Sequence, residues 1–146
     1  MPGAPPARTA PRTVLVVEDN PDHALLVQIA AHRAVPDLDV RIVTDGLDAV
    51  AYLEGKAPYD DRGAHPYPGL LILDLKMPRL DGFGVLQWMR ASGDGKGLPV
   101  VVLTSSDSPR DQKRALQLGA SAFHTKPADL EGLSDQVRDI VARWLS

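Results

Sequence analysis

The sequence predicts an α/β fold: a doubly wound, five-stranded parallel sheet with helices on both faces. Three observations lead there. Near-continuous apolar runs at residues 14–17, 70–73 and 100–103 have the length and composition of strands buried on both faces. The segments between them carry helical periodicity and capping residues, and alternating strand and helix patterns imply parallel pairing. The apolar runs also end in reactive side chains: Glu18 and Asp19 after the first, Asp74 after the second, Thr104 after the third, and Lys126 after residues 121–125. Ligands of open α/β sheets bind at the carboxyl edge of the strands, so this convergence bears on function.

Five strand–helix pairs are expected in order. The first strand covers about 13–18; Asn20 then supplies an N-cap and Pro21 the first helical position of a helix that runs to about Ala34 and stops before Pro36. Residues 39–43 alternate, as a strand nearer the sheet edge does, and the next helix carries Leu47, Val50, Ala51 and Leu53 before Gly55. A polar, proline-containing connection at 54–69 is longer than most αβ loops. After the third strand, the turn from Met77 to Gly82 leads to a helix with Phe83, Val85, Leu86 and Met89. After the fourth, Ser108 to Asp111 reads as a capping box, and Gly119 ends that helix. The last helix starts near Asp129 and lines up Leu130, Leu133, Val137, Ile140, Val141 and Trp144, a stripe read as core.

The 146 residues, 44% hydrophobic and 24% charged, make one domain at 13–146 behind a Pro/Ala-rich lead-in at 1–12. A net charge of −3, with no basic stripe, excludes a nucleic-acid footprint. No apolar run approaches a membrane span, and the start lacks a secretory h-region. The absence of cysteine removes disulfides and thiolate metal sites and suits a cytoplasmic protein. His23, His32, His65 and His124 have no metal-ligand spacing and are read as surface or hydrogen-bonded structural residues.

Glu18, Asp19 and Asp74 would repel one another if the first and third strands are neighbours, and a hard divalent ion such as Mg²⁺ relieves this with oxygen ligation. An aspartate beside such an ion can attack phosphorus to form an acyl phosphate. A hydroxyl and an ammonium, the identities of Thr104 and Lys126, can hold the remaining phosphoryl oxygens. Taken singly, an acidic dipeptide is usually solvated, a strand-end threonine usually satisfies a backbone group, and a lysine usually reaches water. Lys126 precedes Pro127, and a cis bond there would fix the lysine toward the site.

In Val-Val-Glu-Asp-Asn at 16–20, Leu-Asp-Leu-Lys-Met-Pro at 73–78 with Asp81 and Gly82, Leu-Thr-Ser at 103–105, Gly119-Ala120, and Phe-His-Thr-Lys-Pro at 123–127, the chain resembles the receiver domain of two-component response regulators. The resemblance implies a CheY-like, flavodoxin-type sheet in the order 2-1-3-4-5. It implies that Asp74 is the phosphoacceptor. Asp19 would ligate Mg²⁺ directly, Glu18 largely through water, and Lys76 through its main-chain carbonyl. Thr104 and Lys126 would recognise the phosphoryl group, and Phe123 would switch rotamer with Thr104. Departures from the family pattern are Phe123 in place of a frequent tyrosine, Ser105 where a smaller residue is common, and the Lys76 side chain near the phosphoryl path.

With no output region after the last helix, a stand-alone regulator is expected: a phosphoacceptor that promotes its own phosphotransfer and dephosphorylation rather than an enzyme with a free substrate. The long 54–69 connection and the Trp-Leu-Ser ending resemble single-domain regulators paired with bacterial phytochrome kinases. This implies a sensor histidine kinase, a bacteriophytochrome, as partner, with a downstream protein and a homodimer through the fourth and fifth helices. Two other classes fit these residues less well. A phosphatase of the haloacid dehalogenase type wants a second acid two residues after its nucleophile, where this chain has Lys76. A pseudo-receiver acting only as a binding module would not need the full set of Glu18, Asp19, Asp74, Thr104 and Lys126.

Overall fold

The computed structural model describes residues 12–93 and 97–145; residues 1–11 of the expected lead-in lie outside the described residues. The elements run β1 (Thr13–Val17), α1 (Pro21–Ala34), β2 (Asp39–Val43), α2 (Gly46–Glu54), β3 (Leu70–Leu73), α3 (Gly82–Ser92), β4 (Val100–Thr104), α4 (Pro109–Gln117), β5 (Ala122–Thr125) and α5 (Leu130–Leu145). The strands form one parallel sheet in the order β2-β1-β3-β4-β5, as expected.

Two cores follow from strand alternation. Leu15, Val17, Leu71, Leu73, Val100 and Val102 point to the face covered by α2, α3 and α4, where Ala49, Tyr52, Phe83, Leu86 and Ala115 pack. Val14, Val16, Leu70, Ile72, Val101 and Leu103 point to the opposite face, under Val27, Ala30 and Ala31 of α1 and Leu133, Val137, Ile140 and Val141 of α5. Every second residue thus serves a different core, which is why the central strands are apolar without interruption. β2 is an edge strand and mostly half-buried.

The N-caps expected at Asn20 and Ser108 form, but the capping box at Ser108–Asp111 does not close: the Asp111 carboxylate accepts the Ser106 hydroxyl, and the Ser108 N–H goes to Ser106 Oγ. The Asn20 side chain accepts the N–H groups of Asp22 and His23, Asp45 caps α2, Asp81 caps α3 and Ser108 caps α4. One apolar expectation fails: Leu130, placed in the core stripe of the last helix, is 59% exposed because it opens α5 before the helix reaches the sheet. In α2, Ala49, Tyr52 and Leu53 turn inward and Leu47 is exposed. The peptide bond before Pro127 is trans, contrary to the cis geometry weighed for it; the cis bond among the described residues is Ala57–Pro58. Lys126 is instead held by a main-chain bond from its N–H to the Thr104 carbonyl at 2.7 Å.

The connection between α2 and β3 is ordered by its own side chains. The Tyr52 hydroxyl donates to the Pro66 carbonyl, and Arg62 donates to the carbonyls of Leu53 and His65. Tyr59 and His65 meet edge to face, with Tyr52 against both rings.

The N-terminus of α3 lies against the main chain of β3's end. A Cβ on Gly82 would collide with the Asp74 carbonyl oxygen and come within 2.8 Å of the Leu75 Cα. Gly82 also donates its N–H to the Leu75 carbonyl at 2.9 Å. Gly82→Ala is therefore expected to destabilise the fold by about 1–3 kcal/mol, the usual range for overpacking, read as a lower midpoint in urea unfolding.

Candidate functional site at the carboxyl edge

Parallel register brings the predicted residues together. Val17 pairs with Val43 on one side and Leu73 on the other, and Thr104 pairs with Thr125. The ladder continues past the strands: Glu18 N–H bonds the Val43 carbonyl at 3.0 Å, and Asp74 N–H bonds the Val17 carbonyl at 3.1 Å. Main-chain bonding thus sets the residues after β1, β3 and β5 on one edge with their side chains converging.

Lys126 joins them. Its Nζ donates to Glu18 Oε1 at 2.6 Å and to Asp74 Oδ2 at 3.1 Å, and all three side chains are at least nine-tenths buried. Burial lifts the Glu18 carboxyl above its ordinary value; the Lys126 hydrogen bond and charge oppose this, and the Asp74 charge adds to the rise. The second Glu18 oxygen accepts the Asn20 N–H at 3.1 Å, and Asp74 Oδ1 accepts the Leu75 N–H at 2.7 Å. Glu18, Asp19 and Asp74 each offer an oxygen within 4.8 Å of the others, with Asp19 exposed and the other two buried. Three carboxylate oxygens grouped this closely, with a single ammonium among them, suit a divalent cation that takes oxygen ligands.

Thr104 is fully buried, and its Oγ1 accepts the Ser106 N–H at 3.3 Å. Phe123 is half-buried against the α2–α4 core. The Lys76 and Ser105 side chains are exposed.

Three contributions were missed from sequence. His23 places Nδ1 3.0 Å from Lys126 Nζ. Ser106 is buried and donates to Asp111 Oδ2 at 2.7 Å, while its carbonyl accepts the Thr125 hydroxyl at 2.8 Å, tying the β4–α4 turn to β5. Arg79 binds Asp45. The signal for His23 was its place in the capped first turn of α1, which overhangs the edge; Ser106 and Arg79 carried none. The other histidines have structural settings, His32 on the Leu38 carbonyl and His65 against tyrosines. Burial, with the Arg143 charge adding, keeps His124 below its ordinary value.

A doubly wound sheet in this order, with an acidic cluster, a buried hydroxyl and a lysine on its carboxyl edge, is the arrangement of a phosphoryl-accepting signalling domain. Residues 14–138 match the response regulator receiver domain, and the chain belongs to that family. It is 35% identical over 135 residues to response regulator Rcp1 of Synechocystis, covering 92% of this chain and 90% of that one. Among solved structures, the phosphorylated cyanobacterial phytochrome response regulator RcpA superimposes with a TM-score of 0.87 at 34% identity, covering 94% of this chain and 96% of the other. The Mn²⁺-bound form of Rcp1 gives 0.85 at 34% identity, covering 93% and 96%.

The loop after Asp74 is clamped from outside. Arg79, at a left-handed φ of 66°, donates from Nε to Asp45 Oδ2 at 2.8 Å and from Nη2 to the same oxygen at 2.6 Å. A Cβ on the adjoining Gly46 would run into the Leu80 carbonyl, which Gly46 N–H bonds at 3.0 Å. Burial alone would raise the Asp45 carboxyl, but the Asp48 N–H and the Arg79 guanidinium outweigh it and hold it below its ordinary value. A lowered acid stabilises the fold above its unfolded value of 3.8 and loses that contribution as pH falls through the folded value. The stability advantage of the wild type over Asp45→Asn should therefore be steady at neutral pH, begin to fall below about pH 4, and be lost only below the lowered folded value. It should be small, since Arg79 is solvent-exposed. Urea titrations at stepped pH check this; an advantage that grows toward acid would refute the clamp.

Proposed function

We infer that this receiver domain takes a phosphoryl group on Asp74 from the phosphohistidine of a sensor histidine kinase, a bacteriophytochrome by likeness to its relatives. The observation that carries the reading is the buried Lys126 ammonium, bonded to Asp74 and Glu18 at the edge where Asp19 and Thr104 also stand. The phosphorylated form of RcpA and the Mn²⁺-bound form of Rcp1 support it. Glu18, Asp19, Asp74 and the Lys76 carbonyl would hold Mg²⁺, which when bound supplies charge neutralisation at the phosphoryl group.

In the transfer, an Asp74 oxygen forms a bond to phosphorus as the phosphorus–nitrogen bond of the donor histidine breaks and its electron pair returns to the imidazole. Lys126 and the Thr104 hydroxyl hold phosphoryl oxygens, so the work of the protein is positioning and electrostatics. Water attack on the acyl phosphate later frees inorganic phosphate, making the event self-modification. Movement of Thr104 toward the new group draws Phe123 after it, and the face of α4, β5 and α5 changes its binding, without the hydroxyl a tyrosine would present there.

With acetyl phosphate and Mg²⁺, intact mass should rise by one phosphoryl group in hydroxylamine-sensitive linkage. Asp74→Asn should fold and gain nothing, and Asp19→Ala or chelator should slow labelling by about a hundredfold or more. A labelled Asn variant, or an unlabelled wild type, would sink the assignment of Asp74.

The same reading includes a homodimer through α4 and α5, where the half-buried Trp144 and the exposed Leu116 lie. Sedimentation should show a dimer that tightens on phosphorylation. A monomer in both states at working concentration would remove it.

A further inference from the structure

His23 enters the site from a helix that contributes none of the residues assigned so far. It stands in the first turn of α1, where the Asn20 side chain accepts its main-chain N–H at 3.2 Å and that of Asp22 at 2.9 Å. Asn20 is itself fixed by the bond from its own N–H to Glu18. The imidazole is therefore carried on a capped, rigid turn anchored to one of the carboxylates of the edge.

Its Nδ1 lies 3.0 Å from Lys126 Nζ. An ammonium has three donors and no acceptor, so the contact requires a neutral ring with Nδ1 accepting and the proton on Nε2. The three protons of Lys126 then have three partners: Glu18, Asp74 and His23. Two of these are anions: a bound cation would compete with the ammonium for both, and a phosphoryl group would be bonded to one of them, Asp74. The imidazole is the neutral partner and stands outside the carboxylate cluster.

On the reading that Asp74 is the acceptor, we propose that His23 is a positioning residue for Lys126: it keeps one N–H of the ammonium engaged while the others turn from the carboxylates to the phosphoryl oxygens. Without it, a buried lysine on a flexible four-carbon stem has only anions to orient it, and the orientation is lost when those anions bind the incoming groups. Fixing the donor beforehand lowers the reorganisation needed as charge develops on the phosphoryl group. The role needs an acceptor at the Nδ1 position and no proton transfer by the ring.

Asparagine presents its side-chain oxygen close to the position of Nδ1, whereas leucine fills similar space with no acceptor. Labelling rates with acetyl phosphate and Mg²⁺, followed by intact mass, test this in five proteins: wild type, His23→Leu, His23→Asn, Lys126→Ala, and His23→Leu combined with Lys126→Ala. His23→Leu should slow labelling about tenfold, the scale of one hydrogen bond to a charged group. His23→Asn should recover most of that loss, and the leucine change should do nothing once Lys126 is gone. Thermal midpoints report whether each variant is folded.

Equal rates for wild type and His23→Leu, failure of asparagine to recover activity in a folded variant, or the same tenfold loss without Lys126 would each overturn the proposal while leaving Asp74 in place. A wild type that takes up no phosphoryl group, or a labelled Asp74→Asn, would overturn the acceptor reading and this role with it.

Discussion

One buried ammonium holds the carboxyl edge together. Glu18 and Asp74 are both withdrawn from water at the ends of neighbouring strands, and two negative charges so placed repel one another unless a positive charge stands between them. Lys126 supplies it from the far side of the sheet, beyond β4. That reach is possible because the Lys126 N–H continues the ladder with β4, setting where its side chain departs. Strand order, register and charge are thus a single requirement: shift β5 by one residue and Lys126 would face away, leaving the acids unpaired.

The same arrangement explains why a poorly stabilising interaction is worth retaining. Replacing a buried ion pair by apolar residues is often neutral or better for stability, so its presence is weak evidence of a structural purpose. Here the pair leaves a group of oxygens in a small space with one cation that can turn to another anion. The rest of the edge is arranged around it: Thr104 is buried with its Oγ1 on the Ser106 N–H, Ser106 is bonded across to β5, and the loop after Asp74 is fixed to the start of α2.

Sequence reasoning reached the elements and the acidic, hydroxyl and basic residues because these lie at ends of apolar runs, a one-dimensional pattern with a three-dimensional meaning. Strand order came from the likeness to receivers, since periodicity alone does not say which strands are adjacent. His23 was read as structural because its ring acts across more than a hundred residues of separation, where spacing carries no information. Arg79 and Asp45 are similarly remote, at 34 residues apart. Leu130 misled for the opposite reason: an apolar residue in a helix announces a candidate for burial, but the sheet's extent decides which turns it covers.

The connection from α2 to β3 enters the sheet at Leu70, whereas Asp74 leaves it at the other end of the strand. At about 3.3 Å per residue, the two edges are separated by roughly 13 Å. The aromatic cluster of Tyr52, Tyr59 and His65 closes that connection upon α2 rather than upon the acidic edge. The packing of the connection therefore makes no demand on the carboxylates at the far end of β3, and a change in its length or outer surface leaves the ion pairs there with the same partners.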